Sequence, residues 1–121
     1  MGLQAYQSSS IIMFYLCLTA TFILLYAKGE IYIVGWDDFF DCNNWCDGKE
    51  FHVGDVLVFN YESSHHNVLQ VDSTAYENCT KDSYTHRFNS GNDSVVLKEG
   101  GAWFLCGVED HCENGQKLQV N

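Results

Sequence analysis

Proline is missing from all 121 positions, and cationic side chains are scarce: six Lys and Arg stand against sixteen Asp and Glu. The first absence excludes a Pro-rich linker or stalk, and no internal repeat or low-complexity tract takes its place. The second gives a formal charge of −10 at pH 7, which repels nucleic acid phosphates and anionic membranes. Such a surface favours cationic partners, and it also keeps an exported domain soluble. Charge of either sign is absent before Lys28. Instead, Ile11 to Tyr26 is almost wholly apolar, somewhat short of the roughly 20 residues that span a bilayer. Its N-terminal position and the small residues Ala27 and Gly29 behind it predict a cleaved secretory signal peptide over residues 1–27. The missing basic residue ahead of the run, and bulky Leu25 near the cut, make an uncleaved signal anchor the alternative.

Residues 28–121 are enough for one small domain and not for two. The chain stops at Asn121 without a Pro/Ser-rich stalk or a hydrophobic tail for a lipid anchor. The expectation is therefore a secreted monomer with no stable membrane span after cleavage. Its sequence reads as short runs of β-branched and aromatic residues between polar turns. These predict strands over Glu30–Val34, Val56–Tyr61, Asn67–Val71, Ser94–Leu97, Ala102–Cys106 and Lys117–Val120. Between Asp37 and Trp45 a helical turn is weakened by Asn43-Asn44. The pattern is all-β, at the spacing of a sandwich or barrel.

Of six cysteines, Cys17 falls inside the apolar run, leaving Cys42, Cys46, Cys79, Cys106 and Cys112. An odd count in an exported chain asks which thiol is left over. Coordination to a metal would protect it and hold it deprotonated. If Cys106 is that thiol, the other four can make two disulfides. A Cys79–Cys112 bridge would close a long loop and add a few kcal/mol; Cys42 with Cys46 would close a tiny one and add little. A buried, unpaired Cys106 acting as a small hydrophobe is the competing reading.

The segment Cys106-Gly-Val-Glu-Asp-His111-Cys-Glu-Asn-Gly-Gln116 joins two predicted strands. A loop fixed at both ends can bring Cys106, His111 and Gln116 to one point. His66 stands just before another apolar strand. Two imidazoles, one thiolate and a weak axial group make the trigonal His₂Cys arrangement of blue-copper sites, which admits Gln as the axial donor. Zinc is the alternative metal, through Cys112 beside His111 or through Cys42-x₃-Cys46 with His52. Adjacent residues usually point apart, however, and an oxidising compartment favours a disulfide over a thiolate pair. His52, His65 and His86 read as ordinary surface histidines.

Further pieces accompany this constellation: Tyr32-Ile-Val-Gly35, Trp45, Gly48-Lys-Glu-Phe51-His-Val-Gly-Asp55, Leu57-Val-Phe59 and His66-Asn67-Val68. Tyr76 with Cys79, Ser90-Gly-Asn-Asp-Ser-Val95, Phe104-x-Cys106-Gly-Val and His111-Cys112-x-x-Gly115-Gln116-Lys-Leu118 complete the series. Together they resemble the plant phytocyanins, the secreted branch of the cupredoxins, and in particular the stellacyanin-like members with an axial Gln. The resemblance implies a Greek-key β-sandwich holding one type 1 copper through His66, Cys106, His111 and Gln116. It also implies a Cys79–Cys112 disulfide beside the metal, and export to the apoplast or the plasma membrane. The segment between Gly35 and Trp45 is shorter than the family's usual one, and Cys42 and Cys46 are not part of its pattern.

The expected function is one-electron transfer, with a basic protein or a small-molecule reductant as partner and no enzymatic turnover. A copper-free binding or structural module of the cell wall is the alternative; keeping all four candidate ligands argues against it. A copper oxidase is disfavoured because one mononuclear site cannot readily deliver four electrons to oxygen. Two sequons, Asn78-Cys79-Thr80 and Asn92-Asp93-Ser94, are expected to carry N-glycan.

Overall fold

A computed structural model describes residues 29–121; the expected signal peptide lies outside the described residues, and so does Cys17. Among these residues seven strands and two short helices follow in the order β1 (Ile31–Gly35), α1 (Cys42–Cys46), β2 (Val56–Asn60), β3 (Val68–Val71), α2 (Ser73–Asn78), β4 (His86–Phe88), β5 (Asn92–Val96), β6 (Ala102–Leu105) and β7 (Lys117–Val120). One sheet has the order β1-β2-β5, with β1 parallel to β2, and the other has β4-β3-β6-β7. The chain crosses between sheets at β2–β3, β4–β5 and β5–β6, giving the expected β-sandwich. No helix among the described residues is long and apolar enough to cross a membrane.

Alternation sorts the side chains. Val34 of β1, Leu57 and Phe59 of β2, Val68 of β3, Phe104 of β6 and Leu118 of β7 turn inward and are buried together between the sheets. Ile31 and Ile33, at the odd positions of edge strand β1, are exposed. Aromatic rings run through this layer: Trp36 lies 5.0 Å from Phe40 and 5.1 Å from Phe59, and Phe59 lies 5.0 Å from Phe104. Pairs at such spacings add about 0.5–1.5 kcal/mol beyond their buried area. A second cluster, Leu69, Val71, Leu105 and Cys112 with Ala75, fills the outer face of the second sheet. That face is covered by α2, so β3 and β6 are apolar on both sides.

The predicted strand positions agree to within two residues at each end, and two elements were not predicted. Helix α2 begins at the N-cap Asp72, whose Oδ1 accepts the Ala75 N–H at 2.8 Å. Strand β4 (His86-Arg-Phe88) is short, polar and at a sheet edge, where no alternation marks it. Despite Asn43-Asn44, a single turn of helix forms at α1, because Asp41 caps it by accepting from Asn43 N. Near the start of the sandwich, buried Asp55 accepts the Glu30 N–H at 2.9 Å and the His52 N–H at 2.7 Å. Both carboxylate oxygens are thus satisfied, and the first strand is pinned to the turn that opens β2.

Candidate metal centre

The loop Cys106–Gln116 leaves β6 and returns as β7, and its own backbone bonds fix its shape. Cys106 N donates to Gln116 O at 3.0 Å and Gln116 N to His111 O at 2.9 Å. Inside, His111 N donates to Val108 O at 3.1 Å and Gly115 N to Cys112 O at 2.9 Å. Outside, the Lys81 ammonium grips the loop through Glu109 O and through the Glu113 carboxylate at 3.0 Å. The disulfide Cys79–Cys112, implied by the resemblance, is formed; it ties the residue after His111 to the end of α2.

His66 arrives from the opposite side, on the turn that leads into β3, with its N–H donated to Glu62 O at 3.0 Å. Its neighbour Asn67 locks the two sides together. The Asn67 carbonyl accepts the Trp36 indole N–H at 2.8 Å, and Asn67 Oδ1 accepts the Gly107 N–H at 2.6 Å. A Cβ at Gly107 would come within 2.6 Å of Leu69 Cδ1 and 3.1 Å of Asn67 Oδ1, so a side chain there would have to push both aside.

The outcome is convergence of three donors. Cys106 Sγ lies 3.9 Å from His66 Nδ1 and 3.5 Å from His111 Nδ1, and the two imidazole centroids are 4.9 Å apart. All three donor atoms fall within 4.8 Å of one another; no other three such donors do so among the described residues. Cys106 is fully buried, and the His66 and His111 side chains are 7 % and 17 % exposed. Burial pushes the Cys106 thiol up from its ordinary value, and the Asp38 carboxylate adds to this. The backbone N–H groups of Asn67 and Val108, together with Lys81, pull the other way.

Gln116, the fourth candidate, is 2 % exposed, and neither its Oε1 nor its Nε2 has a hydrogen-bond partner. A buried amide without partners costs about 1–3 kcal/mol for each group, unless something else takes up its lone pairs. A soft thiolate, two imidazoles and a buried unpartnered amide therefore suit a copper ion, and the residues present fit that group.

The zinc alternatives do not assemble. Cys112 is consumed by its disulfide, and His52 contacts Glu50 and Asp55. The second bridge expected from the cysteine count is not formed: Cys42 and Cys46 stand as two half-buried thiols with Sγ atoms 3.0 Å apart. As i, i+4 neighbours on one helical turn they touch, but they stay about 1 Å beyond the ~2.05 Å of a disulfide bond. Burial and the Cys42 thiol push Cys46 up to about 12. His65 faces Glu62 and His86 lies on β4; neither joins the donor group. Asn78 and Asn92 are both exposed, at the end of α2 and the start of β5. Sequence reasoning missed Asp38, whose Oδ1 lies 3.6 Å from His111 Nε2 and 3.9 Å from His66 Nε2.

Comparison with known proteins agrees with this geometry. Residues 36–116 match the plastocyanin-like domain family. The chain is 39% identical over 99 residues to a basic blue protein of Arabidopsis thaliana, covering 78% of this chain and 75% of that one. It is 44% identical over 87 residues to blue copper protein 1b of Medicago truncatula, covering 71% of this chain and 54% of that protein. The chain thus spans about half the length of the Medicago relative. Among solved structures, cucumber stellacyanin with Cu2+ superposes with a TM-score of 0.68 at 33% identity, over 78% of this chain and 94% of that one.

Proposed function

We propose that this chain, which belongs to the plastocyanin-like family in its phytocyanin branch, carries single electrons through a type 1 copper held by His66, Cys106 and His111. The observation that carries the reading is the convergence of one buried thiol and two imidazole nitrogens at one end of the sandwich. Bound copper supplies a Cu(II)/Cu(I) couple. The chain's part is to hold donors suited to both states: a soft thiolate that favours Cu(I), and imidazoles that serve either. The backbone bonds of the loop and the Asn67 lock keep these donors at fixed separations, so little has to move as charge changes. His111, the more exposed imidazole, is the route to a partner. Gln116, buried with its amide unpartnered, would offer an oxygen donor harder than a thioether and so would favour Cu(II).

Export is part of the proposal. The apolar run at Ile11–Tyr26 supports it, as does the Cys79–Cys112 disulfide, which suits an oxidising compartment. The partner is a basic protein or a small reductant, because Asp37, Asp38, Glu62 and Asp110 surround the histidine end. N-glycan at Asn78 and Asn92 fits their exposure.

Voltammetry of the copper-loaded chain tests the function. The expected result is a reversible one-electron wave whose potential rises in Gln116→Met, by about 59 mV for each tenfold loss of Cu(II)-over-Cu(I) preference. In the metal-free protein, Gln116→Leu is expected to raise the unfolding free energy by about 1–3 kcal/mol, since it removes the unpartnered amide. A wave that is absent or multi-electron contradicts electron transfer. A potential unmoved by Gln116→Met removes Gln116 from the ligand set.

A further inference from the structure

The short segment after β1 is nailed down on both sides. Trp36 N donates to Asn60 O at 2.9 Å, and the Trp36 indole is buried and bonded to Asn67 O. Asp37 closes the turn, with Oδ1 accepting Phe39 N at 2.9 Å and its carbonyl accepting Phe40 N at 3.1 Å. Phe40 then packs into the core against Trp36. From this turn the Asp38 carboxylate reaches both imidazoles.

A single oxygen of Asp38 serves both imidazoles. Oδ1 lies 3.9 Å from His66 Nε2 and 3.6 Å from His111 Nε2, while the inner Nδ1 atoms of the same rings face Cys106 Sγ. Each ring is thus spanned, with the thiol at one nitrogen and a shared carboxylate at the other. Metal-binding histidines commonly give their second N–H to a carboxylate, which fixes the tautomer and raises the basicity of the ligating nitrogen. Here one carboxylate faces two rings.

We propose that Asp38 is a positioning residue that holds both His66 and His111 with the proton on Nε2 and the Nδ1 lone pairs turned toward the copper position, and that it favours Cu(II) over Cu(I). The redox half of this inference rests on the electron-transfer reading above; the tautomer half does not. At 3.6 and 3.9 Å the contacts are longer than hydrogen bonds, so the coupling acts through charge. Because the Asp38 side chain is 65 % exposed, that coupling is weakened by salt. The same exposure means that replacing Asp38 leaves the core intact.

The test compares wild type with Asp38→Ala, Asp38→Asn and Asp38→Glu. In the metal-free full chain, ¹⁵N NMR of the histidine rings is read at pH about 8.5, two units above the ordinary imidazole value near 6.5. The expected result is Nε2–H at both rings in wild type, a severalfold lower Nε2–H to Nδ1–H ratio in Ala and Asn, and recovery in Glu. With copper, Cu(II) affinity is expected to fall about tenfold in Ala and Asn, the low end for such carboxylate partners. With Cu(I) affinity unchanged, the potential then rises by about 59 mV, and the shift shrinks as salt is added. Unchanged tautomers and an unchanged potential would overturn the proposal, and wild-type behaviour of Asn would overturn its charge basis. If wild type takes up no copper, the electron-transfer reading fails, and the tautomer ratios alone decide the role of Asp38.

Discussion

Replacing Cys79 and Cys112 together by Ala is expected to lower the unfolding free energy by about 4 kcal/mol, the chain-entropy value for a loop of this length. The two residues are 33 apart in sequence, and the bridge closes everything from the end of α2 to the metal-binding loop. Since small domains carry only about 5–15 kcal/mol in total, that loss brings the fold close to its limit. The bridge has local work as well. Cys79 sits at the left-handed C-cap of α2, φ 51°, a conformation few side chains adopt. Cys112 belongs to the apolar cluster beneath α2 and follows His111 directly. Urea unfolding of the double variant checks the magnitude. A loss under about 1 kcal/mol would mean that Lys81 and Lys117, which tie the same elements through Glu113 and Tyr76 O, hold them without the bridge.

Trp36→Ala is expected to cost about 3–5 kcal/mol, the range for removing a large buried aromatic. The side chain is fully buried, edge-on to Phe59 and tilted against Phe40. Its indole N–H also holds the carbonyl of Asn67, the residue that links the His66 turn to Gly107. The loss should therefore reach the metal centre, with copper bound more weakly as well as the fold weakened. Trp36→Phe separates the two effects: it keeps most of the ring packing and removes the indole donor. Its expected cost is about 1–3 kcal/mol, with copper affinity reduced. Equal stability of Phe and wild type in urea, with equal copper affinity, would show that the indole bond positions nothing.

Much of this architecture was legible in the chain, and the reasons are specific. Lys117–Val120 and Val56–Asn60 alternate buried and partly exposed residues, so period two and β-branched composition identified them as strands. The donor loop was legible because Cys106, His111 and Gln116 lie on one connection, and because an odd thiol demanded a partner. Helix α2 carries a readable start signal in Asp72, three residues before Ala75, whose N–H it caps. Strand β4 carried none, since His86-Arg87-Phe88 is held by pairing with β3 rather than by its own pattern. Asp38 was invisible for a different reason. Nothing in its local sequence separates it from Asp37 or Asp41, and only the fold brings its carboxylate onto histidines 28 and 73 positions away. The thiols of Cys42 and Cys46 gave the opposite case, in which spacing foretold proximity but not a bond.

The most direct test of the central claim is the visible absorption spectrum of the full chain, with its Cys79–Cys112 disulfide formed, after one equivalent of Cu(II). The predicted result is an intense blue thiolate-to-copper charge-transfer band that disappears in Cys106→Ser. A wild-type protein that stays colourless, or a band that survives in Cys106→Ser, would contradict the assignment of Cys106, His66 and His111 as the copper site.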